Sequence, residues 1–532
     1  MTDRLSAADH TLFAGLLGVA FLLGCVPLYD TDLYWHLKTG QLILHTRSVP
    51  STDWYTFTSA DRPWIDLHWG YQVLLAVWHA CTGVSGLVVL HAVLLTLITA
   101  CGWWASGTKL PAILKLLPWS LGVIVLSGRD LRPEMFSLLF LAFTLYVLNR
   151  ADDQPQQIWW LLPLQIVWLN MHALFILGIV VWCCWAGERL LLGLWSRYRN
   201  RAQTRPLSWR VLTGLTVILS GSSLLNPYGV QGSLFPFELY RKFSVDQAFY
   251  ADRIGEFQRP WKFLLQHGFR NVYLNAEIVL WLITVISFVA VFWQTRQVRG
   301  YYVLLFAAFS HLAWEASRNA NLFALVSAVV CVGNLQVLWT IRHGQQPVLV
   351  HLPRYQWGWG IVLILWMVSI PTNLWHVMAG EQKEFGWGER RAWYPHAAAR
   401  FAGMSGLPPR AFCSHFGVAS MYTYYHGPDK KVFMDGRLEV CTRAVFERFQ
   451  RILMMMSVGD DRWQGELRDA EGRLPVVLLD SRYSREAING LLQQPMMRLV
   501  YADSACAVFC ERELAETLGM PTADYHPLLF PP

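Results

Sequence analysis

The stretch Tyr29-Asp30-Thr31-Asp32-Leu33-Tyr34-Trp35-His36-Leu37-Lys38-Thr39-Gly40 follows an apolar run over residues 12–28 without a gap. Two carboxylates and an imidazole therefore stand where an apolar helix meets a membrane surface, a costly place for charge unless it is paired or used. The apolar run is long enough to cross a bilayer and ends at Asp30 with no small-residue cleavage pattern, so it reads as a retained first span. The rest of the chain has the same character. Of 532 residues, 54% are hydrophobic, 15% are charged and 27 are Trp, which argues for a multi-pass α-helical membrane protein and against a soluble single domain.

Apolar runs of spanning length recur near 11–29, 84–105, 110–128, 134–149, 157–170, 172–194, 211–225, 275–294, 300–316, 319–340 and 357–378, about eleven spans. The formal charge of +7 does not point to nucleic acid as a partner, because the basic residues sit in short loops where the positive-inside rule puts them. Arg197, Arg199, Arg201, Arg205 and Arg210 crowd one connection, Arg296 and Arg299 another, Arg342 and Arg354 a third. A cytoplasmic N terminus makes all three cytoplasmic. It also puts the polar segments 30–83, 129–134, 170–172, 226–271 and 318–319, and everything after about 379, on the outer face. The expected location is the cytoplasmic (inner) membrane.

Residues 1–380 are expected to form the transmembrane part, with a first outer loop over 30–83 and a second over 226–272. In the first, Leu33, Leu37 and Leu42, and then Trp69, Val73 and Val77, have helical spacing, which predicts two interfacial helices joined by a turn near 49–53. Residues 386–515 read as a small soluble α/β domain, extracytoplasmic. Strand-like runs lie at 431–434, 475–479 and 499–501, and helices are expected at 442–456 and 484–493. Its cysteines, Cys413, Cys441, Cys506 and Cys510, are even in number and permit disulfides without establishing them.

The candidates for chemistry follow from this layout. Asp30 or Asp32 beside Tyr34 and Trp35 suits a general base, against the alternative that Asp32 merely caps the helix from Leu33. His36 shares a helix face with Asp32. Asp53 and His68 add polar density to the same loop. Arg129, Arg132 and Glu134 crowd a helix junction where guanidiniums either bind phosphate or close an internal ion pair. His172 and Arg318 interrupt later apolar runs, where ionisable groups line cavities or join helices. The charged residues of the second loop, Lys242, Asp246, Asp252, Arg253 and Glu256, read mostly as a solvated surface, against the alternative that the loop forms a lid. Met434-Asp435-Gly436-Arg437 after a strand suits either a polar ligand or a turn salt bridge.

Together with Val49-Pro50-Ser51-Thr52-Asp53, Arg62-Pro63-Trp64, His68-Trp69, Arg132-Pro133-Glu134, Asn226-Pro227-Tyr228-Gly229, Arg318-Asn319 and Asp435-Gly436-Arg437, the opening stretch resembles integral-membrane glycosyltransferases of the GT-C superfamily. The nearest likeness is to a poorly characterised bacterial branch related to protein mannosyltransferases and aminoarabinose transferases. The resemblance implies a polyprenyl-phosphate-linked sugar donor, membrane lipids as surroundings, and a glycan, lipid or protein acceptor on the outer face. It implies an inverting displacement with Asp32, or else Asp30, as base. His36, Arg129, Arg132 and Arg318 would hold the donor phosphate, and Asp53, His68, Glu134 and His172 would serve the acceptor or support the site. His68 stands where an acid is expected, which leaves a divalent metal open. The competing expectation is a non-catalytic multi-pass transporter of an amphiphilic or anionic substrate.

Overall fold

The computed structural model describes residues 7–107, 109–198, 208–344, 353–380 and 382–525; Arg199, Arg201 and Arg205 of the first basic connection lie outside them. The chain forms two compact units, Met1–Pro27 with Ser85–Trp387, and Leu28–Val84 with Gly388–Pro532. Each is built from segments far apart in sequence.

The first unit is helical. Every one of the eleven apolar runs falls on a helix, but among the described residues four helices are both long and apolar enough to cross a bilayer: Trp69–Ala105, Ala173–Trp195, Val272–Thr295 and Ser317–His343. Ala8–Gly24 and Ala112–Ser127 are apolar but shorter. Backbone breaks shorten several others: 3-10 turns at Pro155–Trp160 and Ala173–Phe175 leave only the nine residues Leu161–Leu169 as α-helix between them. Helix Ala320–His343 is the centre of this unit, buried continuously from Asn321 to Asn334. Small residues bring its neighbours close, as packing in lipid requires. A Cβ at Gly333 would lie 2.6 Å from the Tyr302 ring, and one at Gly102 would lie 2.2 Å from Trp119. Val217, Ile286, Trp293 and Leu365 point outward and are exposed. Such apolar surface on helices of this length belongs in lipid, and the protein is a multi-pass membrane protein.

The second unit contains a five-stranded sheet in the order β2-β1-β3-β5-β4, with β1 at Arg410–Cys413, β2 at Lys431–Val432, β3 at Val476–Asp480, β4 at Met497–Ala502 and β5 at Cys506–Glu511. β1 is parallel to both β2 and β3, while β5 is antiparallel to β3 and β4. Helices Arg443–Ser457 and Arg485–Leu492 lie where the apolar periodicity puts them. β1, β5 and helix Phe416–His426 were not marked in the sequence: β1 is four residues long, and the fully buried positions of β5 show no alternation. Cys413, Cys506 and Cys510 are buried free thiols.

The first outer loop is part of this unit. Tyr55 to Phe57 runs beside β2 as an extra short strand: Val432 N–H donates to Tyr55 O at 2.8 Å, and Phe57 N–H to Val432 O at 3.0 Å. Helix Leu33–Thr46 packs on helix Phe416–His426, where Trp35 N–H donates to Ser420 Oγ at 2.9 Å. It also crosses helix Trp69–Ala105 so closely at Gly40 that a Cβ there would lie 2.0 Å from Gln72 O. The second predicted interfacial helix is thus the first part of that long helix, which bends at Gly83 (φ 67°).

Gly490 of helix Arg485–Leu492 meets Met456 O, and a Cβ there would lie 1.9 Å from it. Gly490→Ala is expected to destabilise the fold by about 1–3 kcal/mol, as overpacked cores do. Gly465→Ala, with open space around its Cβ, should leave the denaturation midpoint of the full chain unchanged.

Candidate functional site

Two polar clusters carry the candidate residues, one in each unit. In the second unit, Asp32 stands at the N-cap position of helix Leu33–Thr46 without making a side-chain cap bond. Its Oδ1 accepts from the Trp35 indole N–H at 3.0 Å instead. The capping interpretation of Asp32 is therefore not what its side chain does. Asp30 is buried, and its Oδ1 accepts the Asp32 backbone N–H at 3.1 Å, which shapes the turn that presents Asp32. The carboxylate of Asp32 lies against the turn after β2: a Cβ at Gly436 would fall 2.1 Å from Asp32 Oδ1. Only glycine leaves that oxygen its place.

Arg437, the next residue, is fully buried and fixes this turn. Its Nε lies 3.0 and 2.9 Å from the two oxygens of Asp435, and its Nη2 is 2.7 Å from both Asp435 Oδ2 and Asp53 Oδ1. The ring centroids of Trp64 and Tyr55 stand 4.4 and 4.8 Å from the guanidinium carbon. Burial disfavours the cation, but Asp435 and Asp53 reverse that effect, and the guanidinium holds its proton more firmly than usual. Asp53 also accepts the backbone N–H groups of Tyr55 and Thr56 at 3.0 and 3.1 Å. Asp53 and Asp435-Gly436-Arg437 are thus joined as a buried ion triad, the turn salt bridge being the contact that forms.

His36 is buried with its Nδ1 3.3 Å from the Gln72 side-chain nitrogen. Its ring lies between Trp35 at 3.7 Å and His68 at 5.8 Å. His68 Nδ1 is 3.3 Å from Asp66 Oδ1. Glu439, three residues past Gly436, is raised above the usual carboxyl range by burial, against the opposing pull of His68 and Arg437. Among the described residues, no three His, Cys, Asp or Glu side chains assemble into a set that could hold a metal ion.

In the first unit, Arg129 pairs with Glu134, and Arg318 Nη2 reaches the same carboxylate at 3.2 Å. Arg132 Nη1 binds Glu256 at 2.8 Å, and Arg129 Nη1 lies 3.7 Å from that carboxylate. Glu256 is therefore no solvated loop charge. Nothing in its local sequence distinguishes it from Asp252, which lies 4.0 Å from Lys262. His172 receives or donates a 2.8 Å hydrogen bond at Ser137 Oγ. Three guanidiniums converge on two carboxylates here, and Asp130, 3.9 Å from Lys383, acts on Arg129 as well. Asn170 acts as a tie between helices, donating to Leu225 O at 3.0 Å.

No protein-family model matches the chain, and no curated protein matches it by sequence. Its fold matches solved structures. The archaeal oligosaccharyltransferase AglB from Archaeoglobus fulgidus, in complex with an inhibitory peptide and a dolichol-phosphate, superposes with a TM-score of 0.57 at 10% identity, covering 90% of this chain and 70% of that one. The apo form of the Archaeoglobus fulgidus oligosaccharyltransferase gives 0.53 at 11% identity over 88% and 70%. The form tethered by a disulfide to an acceptor peptide with the NVT sequon gives 0.53 at 9% identity over 96% and 74%. The likeness is one of fold, and it bears out the GT-C architecture that the sequence resemblance implies.

Replacing Arg437 by Leu leaves Asp53 and Asp435 buried without their cation. The expected cost is about 3–5 kcal/mol in denaturation of the full chain; a loss within 1 kcal/mol would show the triad to be dispensable. Glu439 gives a pH signature. Its folded carboxyl binds the proton more tightly than the unfolded one, so its contribution is fully present below about pH 4.3 and is lost as pH rises through the folded value. Glu439→Gln is expected to flatten the stability profile from about pH 4.3 upward.

Proposed function

We propose that this chain is a membrane glycosyltransferase that moves a sugar from a polyprenyl-phosphate-linked donor to an acceptor on the outer face of the membrane. The observation that carries it is the placement of the Asp32 carboxylate, held by the Trp35 indole and seated against Gly436 within a GT-C fold. Asp32 is the base that takes the acceptor's proton as the acceptor attacks the anomeric carbon and the lipid phosphate leaves, with inversion. Asp30 shapes the turn rather than reacting, because its Oδ1 is given to the Asp32 N–H. The clustered guanidiniums of Arg129, Arg132 and Arg318 suit them to an anionic phosphate, Glu134 and Glu256 orient them, and His172 supports the same cluster. On this reading the remaining apolar helices also cross the bilayer, the N terminus is cytoplasmic, and the second unit is extracytoplasmic.

Lipid-linked sugars and surface glycans of a deletion strain, compared by mass spectrometry with strains carrying each variant, test this. Asp32→Asn is expected to abolish product at unchanged protein level. Gly436→Ala, which pushes the carboxylate from its seat, should lower product about 100-fold, as a displacement near 1 Å does. Full product from both the Asp30→Asn and Asp32→Asn strains would remove the carboxylates from the chemistry. Substrate movement with no covalent product would instead establish transport.

A further inference from the structure

Asn226 closes the corner between helices Trp209–Ser222 and Val230–Val245. Its Nδ2 donates to Ser223 O at 2.8 Å and to Gly229 O at 2.9 Å, and its Oδ1 accepts the Tyr228 N–H at 2.8 Å. Gly229 turns the backbone at φ 55°, and a Cβ at Gly232 would lie 2.1 Å from Asn226 Oδ1, so the first turn of the second helix is seated on the corner. Ser233 Oγ fastens it further by donating to Ser223 O at 2.6 Å.

Helix Val230–Val245 has two unlike faces. Inward, Phe235 is buried, and Phe243 packs on Tyr250 and Phe257 with centroids 5.3 and 5.0 Å away. The Phe257 ring in turn lies 5.0 Å from the Arg318 guanidinium, and its neighbour Glu256 binds Arg132. Outward, Val230, Leu234 and Phe237, spaced by four and three residues, form one exposed stripe, with Phe237 58% exposed. Gln231 and Glu238 are exposed along its flank. Helix Pro260–His267 repeats the pattern: Trp261 and Leu265 are exposed one turn apart, and Phe269, four residues on, is 71% exposed.

What covers these stripes follows from the surfaces they adjoin. Val217, Leu224 and Leu225 lead into Val230 as exposed apolar side chains, and Val279, Trp281 and Leu282 continue beyond Phe269 on helix Val272–Thr295, which is long and apolar enough to cross a bilayer. Both ends of the segment thus join surface that faces lipid. At 16 residues, with Glu238, Arg241 and Lys242 within it, helix Val230–Val245 is too short and too charged to span. A helix of this kind lies in the interface plane, its apolar stripe among the acyl chains and its basic side chains at the head groups.

We infer that helices Val230–Val245 and Pro260–His267 are interfacial helices, that the partner covering their outward stripes is the phospholipid of the adjoining leaflet, and that they hold Glu256, which lies between them in the chain, at head-group depth. The guanidiniums that Glu256 joins then sit at the level of lipid phosphates. This placement serves a transferase and a transporter alike.

Dansylalanine placed singly at Leu234, Phe237 or Leu265 of the full chain, in vesicles of phosphatidylethanolamine and phosphatidylglycerol, tests it. Brominating the lipid acyl chains is expected to quench each of these probes about twofold or more, and acrylamide in the water to quench them little. A probe at Glu238, on the flank, should show the reverse. Acrylamide quenching at all three positions as strong as at Glu238 would make the segment a solvated surface, and quenching by neither agent would place protein over the stripes; either result overturns the inference.

Discussion

A buried charge needs its partners, and the second unit is built around one. Arg437 has no exposure to water, so its stability depends on two carboxylates from opposite ends of the chain, Asp53 and Asp435. Asp435 follows β2. Asp53 sits in the loop that lies beside that same strand, and the ion triad and the strand pairing of Thr56 with Val432 reinforce each other. With the turn so fixed, Gly436 faces Asp32 at a distance no other residue permits. The electrostatics of one guanidinium thus decide where a carboxylate 405 residues earlier in the chain can stand.

Much of this architecture was legible in the sequence. Each run of apolar residues marked a helix of the first unit, because lipid imposes a composition that water does not, while helices Val230–Val245 and Pro260–His267 lie in the stretch read as an outer loop. The strands at 431, 476 and 497 were marked as short apolar runs, and helices Arg443–Ser457 and Arg485–Leu492 were expected between them. Helix length was less legible: Pro and 3-10 breaks interrupt the α-helix without lowering hydropathy, so a hydropathy window does not register them. The resemblance identified the architecture, while the branch within it has no support from sequence matches.

The candidate site was half legible. Asp30, Asp32 and the Asp435-Gly436-Arg437 turn stood out as charge at unusual places. What sequence could not show is their mutual contact, since pairing across several hundred residues leaves no local pattern. Glu256 is the plainest omission, a loop acid like its neighbours until Arg132 is seen beside it. Capping was the alternative to a base for Asp32, and the side chain does not cap: its Oδ1 accepts from the Trp35 indole, one turn along, instead.

The pairing of the first loop with β2 also sets an order on biogenesis. Thr58 bonds to Phe433, 375 residues later. At ribosomal rates of 5–20 residues per second, roughly 20–75 s separate the synthesis of the two partners. For that interval Tyr55 and Phe57 present an unpaired backbone edge and Asp53 has no cation. The nascent chain therefore carries an exposed strand-forming segment through most of its synthesis, the kind of intermediate that a holding chaperone recognises, and its maturation ends only when the last strands of the sheet are made.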